Sequence, residues 1–163
     1  MATKKLIIMR GLPGSGKSTE ARAIAIAAIE TCAQEVAICS TDSFFMVNGE
    51  YQFDPDKLGD YHGANQHKVG RHMYMKTDVI IVDNTNTTRK EMKPYTDLAA
   101  AHGYEVTEVL VGREFLFGAP HPALPWTSKD HDDYGDYIAK CHERGTHGVP
   151  KVVIERMARR FQE

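Results

Sequence analysis

Nine consecutive residues carry the densest chemistry in this 163-residue chain: Gly11, Leu12, Pro13, Gly14, Ser15, Gly16, Lys17, Ser18 and Thr19. They satisfy G-x-x-x-x-G-K-[ST] at every fixed position, where glycines let backbone N–H groups turn inward around phosphate. In such a loop Lys17 reaches the β- and γ-phosphates and the Ser18 hydroxyl sits on Mg²⁺. The flanks fit as well. Residues 5–9 read as a short apolar strand, and residues 20–30, with repeated Ala and Ile, read as a helix whose positive dipole end strengthens an anion site. An ordinary glycine-rich turn that happens to hold a lysine needs neither flank. The stretch predicts binding of a nucleoside triphosphate, with ATP and Mg²⁺ as the cofactors.

Three further segments offer groups for phosphoryl transfer. Asp42, in Ser40-Thr41-Asp42, follows the second apolar run, where a carboxylate across the cleft can accept the proton of an attacking hydroxyl. The plain alternative is a loop or helix-cap aspartate. Residues 79–83, Val-Ile-Ile-Val-Asp, have the form of a Walker B strand, so Asp83 joins Ser18 as a metal-site candidate. Beyond it, Asn84, Asn86 and Arg89 are dense in hydrogen-bonding groups and suit substrate positioning, while Thr87 or Thr88 can instead cap the next helix. Arg144 lies beside Gly145 in a segment able to close over a nucleotide, where an arginine stabilises the transferring group. Arg113 is a second cation candidate on the nucleotide side. His62, His67 and His72 recur at intervals that do not stack on one helix face, and there is no H-E-x-x-H or Cys/His cluster, so no zinc site is expected.

These residues need a scaffold that brings distant segments to one edge. Apolar runs at residues 5–9, 35–40, 79–83 and 104–111 alternate with helical stretches at 20–30, 56–75 and 88–102, the last stopped by Gly103. Such alternation predicts an α/β fold with a parallel sheet covered on both faces and ligands at the carboxyl ends of its strands. Residues 112–130 hold Pro120, Pro122, Pro125 and the single tryptophan, and read as an irregular excursion. A helix over 132–143, a break at 144–148 and a last helix from Pro150 to Phe161 follow, with 132–150 as a lid region. The whole of 1–163 reads as one domain.

Composition narrows the class. The chain is 42% hydrophobic and 26% charged, as globular proteins are, and no apolar run approaches a membrane helix. Its net charge of −2 argues against non-specific coating of nucleic acid, although residues 140–160 form a locally basic end. Cys32, Cys39 and Cys141 show no paired spacing and read as reduced thiols. With residues 1–5 leading straight into the first strand, no signal peptide is expected, and the location is read as cytoplasmic.

Taken together, the motifs resemble the small P-loop kinases of the AAA-domain-containing group, which includes phage polynucleotide 5′-kinases and related nucleic-acid kinase domains. The resemblance rests on residues 11–19, 40–42, 49–58 (Gly-Glu-Tyr-Gln-Phe-Asp-Pro-Asp-Lys-Leu), 82–88 (Val-Asp-Asn-Thr-Asn-Thr-Thr), 144–150 (Arg-Gly-Thr-His-Gly-Val-Pro) and 154–157. It implies a P-loop NTPase fold of kinase type, a three-layer sandwich with a central parallel sheet and a helical lid. It also implies Asp42 as general base, Lys17 and Ser18 on ATP and Mg²⁺, and Arg144 as the lid arginine. Phage polynucleotide kinases carry an arginine three residues past the catalytic aspartate and an aspartate supporting it. Phe45 and Asn84 stand at those places here, which implies a changed acceptor site, with Phe45 able to stack on a base. The expected acceptor is a hydroxyl of a nucleic acid or nucleotide. It is a polynucleotide 5′-end, a hydroxymethylated base such as 5-hydroxymethyluracil within DNA, or a nucleoside or small metabolite. A non-catalytic ATP-binding adaptor is the rival of another class.

Overall fold

Strands that are apolar on both faces cannot leave either in water, so helices must cover them twice. The computed structural model, which describes residues 3–112 and 134–162, does so in chain order. Strand β1 (Lys5–Arg10) leads to helix α1 (Lys17–Glu30) and strand β2 (Val36–Cys39). A 3-10 turn (Thr41–Phe45) and a small hairpin of β3 (Met46–Val47) and β4 (Glu50–Tyr51) follow. Then come α2 (Leu58–Tyr74), β5 (Val79–Asp83), α3 (Arg89–His102) and β6 (Glu105–Leu110). Two helices, α4 (Tyr134–Arg144) and α5 (Lys151–Arg160), end the described chain.

The main sheet is parallel, with strand order β2-β5-β1-β6. Alternation along the strands sorts the core into two layers. Leu6, Ile8, Ile80 and Val82 pack with Val69 and Met73 of α2 and Met92, Tyr95 and Ala99 of α3. On the other face Met9, Val79 and Ile81 pack with Ala21 of α1. A third cluster joins Leu12 of the glycine loop to Tyr137, Ile138 and Cys141 of α4 and to Ile154 and Ala158 of α5. The last two helices therefore grip the loop itself.

The α/β expectation and its four parallel strands hold, and the differences are local. Helix α1 begins at Lys17 rather than residue 20, so Lys17, Ser18 and Thr19 form its first turn. The hairpin escapes a reading based on apolar runs because its strands are two residues each, too short to show alternation. Its turn was nevertheless encoded: Asn48 (φ 50) and Gly49 (φ 84) supply the two positive φ values of a tight hairpin turn. The excursion read at 112–130 lies, except for Gly112, outside the described residues.

Beneath the sheet's carboxyl edge sits Arg10, only 1% exposed. Its guanidinium donates to the Asn86 carbonyl at 3.1 Å, to Glu108 at 3.2 Å and to the Gln162 carbonyl, and lies 5.0 Å from the Phe161 ring centroid. Burial lowers its pKa and Glu108 works against that. One cation thus fastens the segment after β5, strand β6 and the end of the described chain to β1. Arg10→Met leaves those acceptors unmatched, and urea denaturation should show a loss of roughly 2–4 kcal/mol. A loss below about 0.5 kcal/mol, the range of ordinary surface substitutions, would mean that Arg10 is not a fastening point.

Candidate active site

The glycine loop leaves β1 in the middle of the sheet, at the edge where ligands of α/β proteins bind. Its N–H groups are aimed by the fold of the backbone, with Gly14 at φ 79 and Gly16 at φ 99 capping α1 in the left-handed region. Gly14 is also pressed against α4. A Cβ there would lie 1.9 Å from the Cys141 carbonyl oxygen, so the position admits no side chain. Leu12 is buried in the α4–α5 cluster, so it can offer a ligand only its backbone.

Lys17 Nζ donates to the Leu12 carbonyl at 2.9 Å. Burial lowers its pKa, while the Asp83 and Asp42 carboxylates favour its charged form. Adjacent β1 and β5 also bring Ser18 Oγ to 2.7 Å from Asp83 Oδ2. The other oxygen, Asp83 Oδ1, is buried without a hydrogen-bond partner among the described residues. A hydroxyl beside a half-engaged buried carboxylate fits Mg²⁺, which takes one or two protein oxygens and completes its shell with water and phosphate. Arg144 reaches the same loop: a Cβ on Gly16 would lie 3.6 Å from one of its Nη atoms.

Asp42 stands in the 3-10 turn after β2 and caps no helix. Its Oδ1 accepts from the Tyr51 hydroxyl at 3.1 Å, and its Oδ2 lies 3.4 Å from His147 Nδ1. Burial, then the neighbouring Asp42 charge, pushes the Tyr51 pKa up, so the phenol stays a donor. Asn84 supports the turn from below, accepting from the Thr41 N–H at 2.9 Å and donating to the Tyr95 hydroxyl at 3.2 Å. Thr41 also meets His62 Nδ1 at 3.0 Å.

Three residues read as substrate contacts stand elsewhere. Phe45 is 1% exposed, packed among the rings of Tyr51, Phe53 and Tyr61, so no ring face is open to a base. Asn86 is buried and donates to the Met9 carbonyl at 2.8 Å, tying β1 to the segment after β5. Arg89 pairs with Glu108 at 2.5 Å, alongside Arg10 and away from Asp42. Arg113 lies outside the described residues. Thr88 does cap α3, accepting from the Glu91 N–H at 3.3 Å. The partners of Asp42, Tyr51 and His147, were missed. His147 had a signal, since it sits three residues past Arg144 in the same polar break, and Tyr51 stood in the 49–58 segment of the resemblance, where nothing paired it with Asp42.

Comparison with known proteins identifies the family and the fold. A family model described as an AAA domain matches residues 6–163. Human NEDD4-binding protein 2 is 37% identical over 157 residues, which cover 96% of this chain but only 8% of that protein's length. Among solved structures, one of the Pnkp1/Rnl/Hen1 RNA repair complex superposes with a TM-score of 0.64 at 21% identity, over 98% of this chain and 44% of that one. Kti12 of Chaetomium thermophilum, in complex with ADP-AlF3, gives 0.62 at 17% identity over 97% and 80%. At such identities the two structures establish the fold alone, that of P-loop kinases.

The contact of Gly14 with α4 is backbone against backbone, which no rotamer change relieves. Gly14→Ala should destabilise the fold by at least about 2 kcal/mol, from its positive φ and the clash together, and lower the thermal midpoint accordingly. An unchanged midpoint would mean that α4 is not seated on the loop.

Proposed function

This chain belongs to the AAA-domain family of P-loop proteins, and from that premise we propose that it is an ATP-dependent phosphotransferase acting on a hydroxyl of a nucleic acid, a polynucleotide 5′-hydroxyl first. The observation that carries this reading is that the glycine loop with Lys17, the Ser18–Asp83 pair and Asp42 all follow the carboxyl ends of the neighbouring parallel strands β1, β5 and β2. Phosphoryl transfer asks a protein mainly for positioning and for positive charge around the moving group. Lys17 and the loop N–H groups hold the β- and γ-phosphates, and Ser18 and Asp83 hold Mg²⁺, which when bound neutralises phosphate charge. Asp42 aligns the acceptor hydroxyl and takes its proton as the new O–P bond forms and the bond to the leaving ADP breaks. Arg144, at the loop's mouth, stabilises the charge that develops in between.

A cleft of about 300 Å³ supports a nucleic-acid acceptor. Phe44, Phe53 and Tyr61 line it, with Lys57 at its side. It begins one aromatic ring from the carboxylate, because Tyr51 touches both Asp42 and Phe45. Phe53 is 54% exposed and, unlike Phe45, offers a face on which a base can stack.

The test is transfer of labelled γ-phosphate from ATP to 5′-hydroxyl DNA and RNA oligonucleotides, a duplex bearing 5-hydroxymethyluracil, and nucleosides. Label on an oligonucleotide end is expected. Label only on the modified duplex or on nucleosides would move the acceptor assignment. No label, with ATP still bound, would favour the adaptor. Asp42→Ala should lower kcat by about 10²–10⁴ with ATP affinity retained. Phe53→Ala should weaken oligonucleotide binding by about 1–3 kcal/mol, seen as a raised acceptor KM.

A further inference from the structure

The Asp42 carboxylate is met by two stacked rings that come from different segments. Tyr51 belongs to β4 of the small hairpin, and His147 to the break between α4 and α5. Their rings stack with centroids 4.0 Å apart and planes 9° apart, and each presents its polar atom to a different oxygen of the carboxylate. A carboxylate has about four lone-pair sites and the Tyr51 hydroxyl occupies one, so sites remain for an incoming hydroxyl. His147 follows Arg144 by three residues in Arg144-Gly145-Thr146-His147, so one short stretch reaches both the phosphate loop and Asp42.

We infer that Tyr51 and His147 are positioning residues that together aim the Asp42 carboxylate, and that His147 couples the seating of the Arg144 segment to the aim of the base. The inference rests on Asp42 being the base. The side chains do different parts of one task. Tyr51 fixes the turn of the carboxylate from the hairpin side, and His147 completes the grip only when the α4–α5 break lies over the loop. The stacked rings act as a single wall, so each ring depends on the other for its place. Neither ring needs to touch the reacting atoms.

The experiment measures kcat and KM for the full chain with ATP and a 5′-hydroxyl DNA oligonucleotide, alongside His147→Ala, His147→Asn, Tyr51→Phe and the double variant His147→Ala with Tyr51→Phe. His147 is 34% exposed, and Tyr51→Phe removes one oxygen, so the fold should tolerate these changes. His147→Ala and Tyr51→Phe should each lower kcat about tenfold, with ATP affinity and acceptor KM within about twofold. The side-chain amide of His147→Asn can donate from the place of Nδ1 and should recover most of the loss. The double variant should lose less than the product of the two single losses, because both groups act on one carboxylate. Wild-type kcat in His147→Ala, no recovery in His147→Asn, or a fully multiplicative double loss would each overturn the inference. Asp42→Asn in the same assay separates the two claims. Its loss of activity beside an unaffected His147→Ala sinks the inference alone, whereas wild-type activity in Asp42→Asn sinks the base assignment and the inference with it. A readout independent of turnover is the ¹⁵N spectrum of the histidine rings. Asp42→Ala should move the His147 signals and leave most of the other seven of the eight histidines in place. An unmoved His147 would overturn the contact.

Discussion

The pairing of β1 with β5 fixes the geometry on which the site depends. The two strands run parallel with Met9 opposite Asp83, and the ladder continues past both strand ends when the Gly11 N–H donates to the Thr85 carbonyl at 3.0 Å. That last bond sets the first residue of the glycine loop against the segment after β5 before either side chain is considered. Ser18 then meets Asp83 because one turn of α1 returns the chain over the end of the neighbouring strand. Asn86 repeats the link with its amide on the Met9 carbonyl. A slip of one residue in this register would exchange the two core layers, since alternate side chains of β1 and β5 face opposite helices. The core and the phosphate site therefore specify the same register.

A buried cation beneath such a site is costly, and the surroundings of Arg10 explain why it is tolerated. Its donors find carbonyl and carboxylate oxygens from three separate segments, and the Phe161 ring covers one face. The α4–α5 pair is consequently anchored twice. Leu12 enters its apolar cluster from above, and Arg10 holds the residues after α5 from below. One anchor at the end of β1 and one in the loop that leaves it place the Arg144 segment over the loop.

How much of this was legible in the sequence depended on how local each signal is. The glycine loop, the strand ending in Asp83 and the Gly103 stop were legible because each is a short-range pattern with a backbone cause. Asp42 could be singled out by its place after a strand, but not its partners, since a contact between Asp42 and His147 joins segments far apart in the chain. Phe45 and Asn86 were misread for a related reason. Aromatic and amide side chains serve packing and substrate equally well, and only burial decides between them. Arg89 carried a charge suited to phosphate, yet Glu108, far along the chain, had already claimed it. Tyr51 lay in a segment that carries the resemblance, but a two-residue strand shows no period that would aim it at Asp42.

The two halves of the site are built differently, and this bears on what can vary. The phosphate side rests on sheet ends and on glycines, of which Gly11 and Gly14 lie so close to neighbouring backbone that a side chain there meets something that cannot easily move. The proposed acceptor side rests on a 3-10 turn, a six-residue hairpin and one histidine from the break between α4 and α5, none of them part of the main sheet. In the proposed reaction such a division lets the nucleotide be held the same way while the acceptor wall is rebuilt. The absent arginine at Phe45 fits that division. Its place in the fold has been given to packing, because a ring at the centre of Tyr51, Phe53 and Tyr61 holds the hairpin against α2. In the proposed reaction, specificity on this side would follow from where the hairpin sits, with Phe45 acting through the position of Tyr51 and Phe53 rather than by contact.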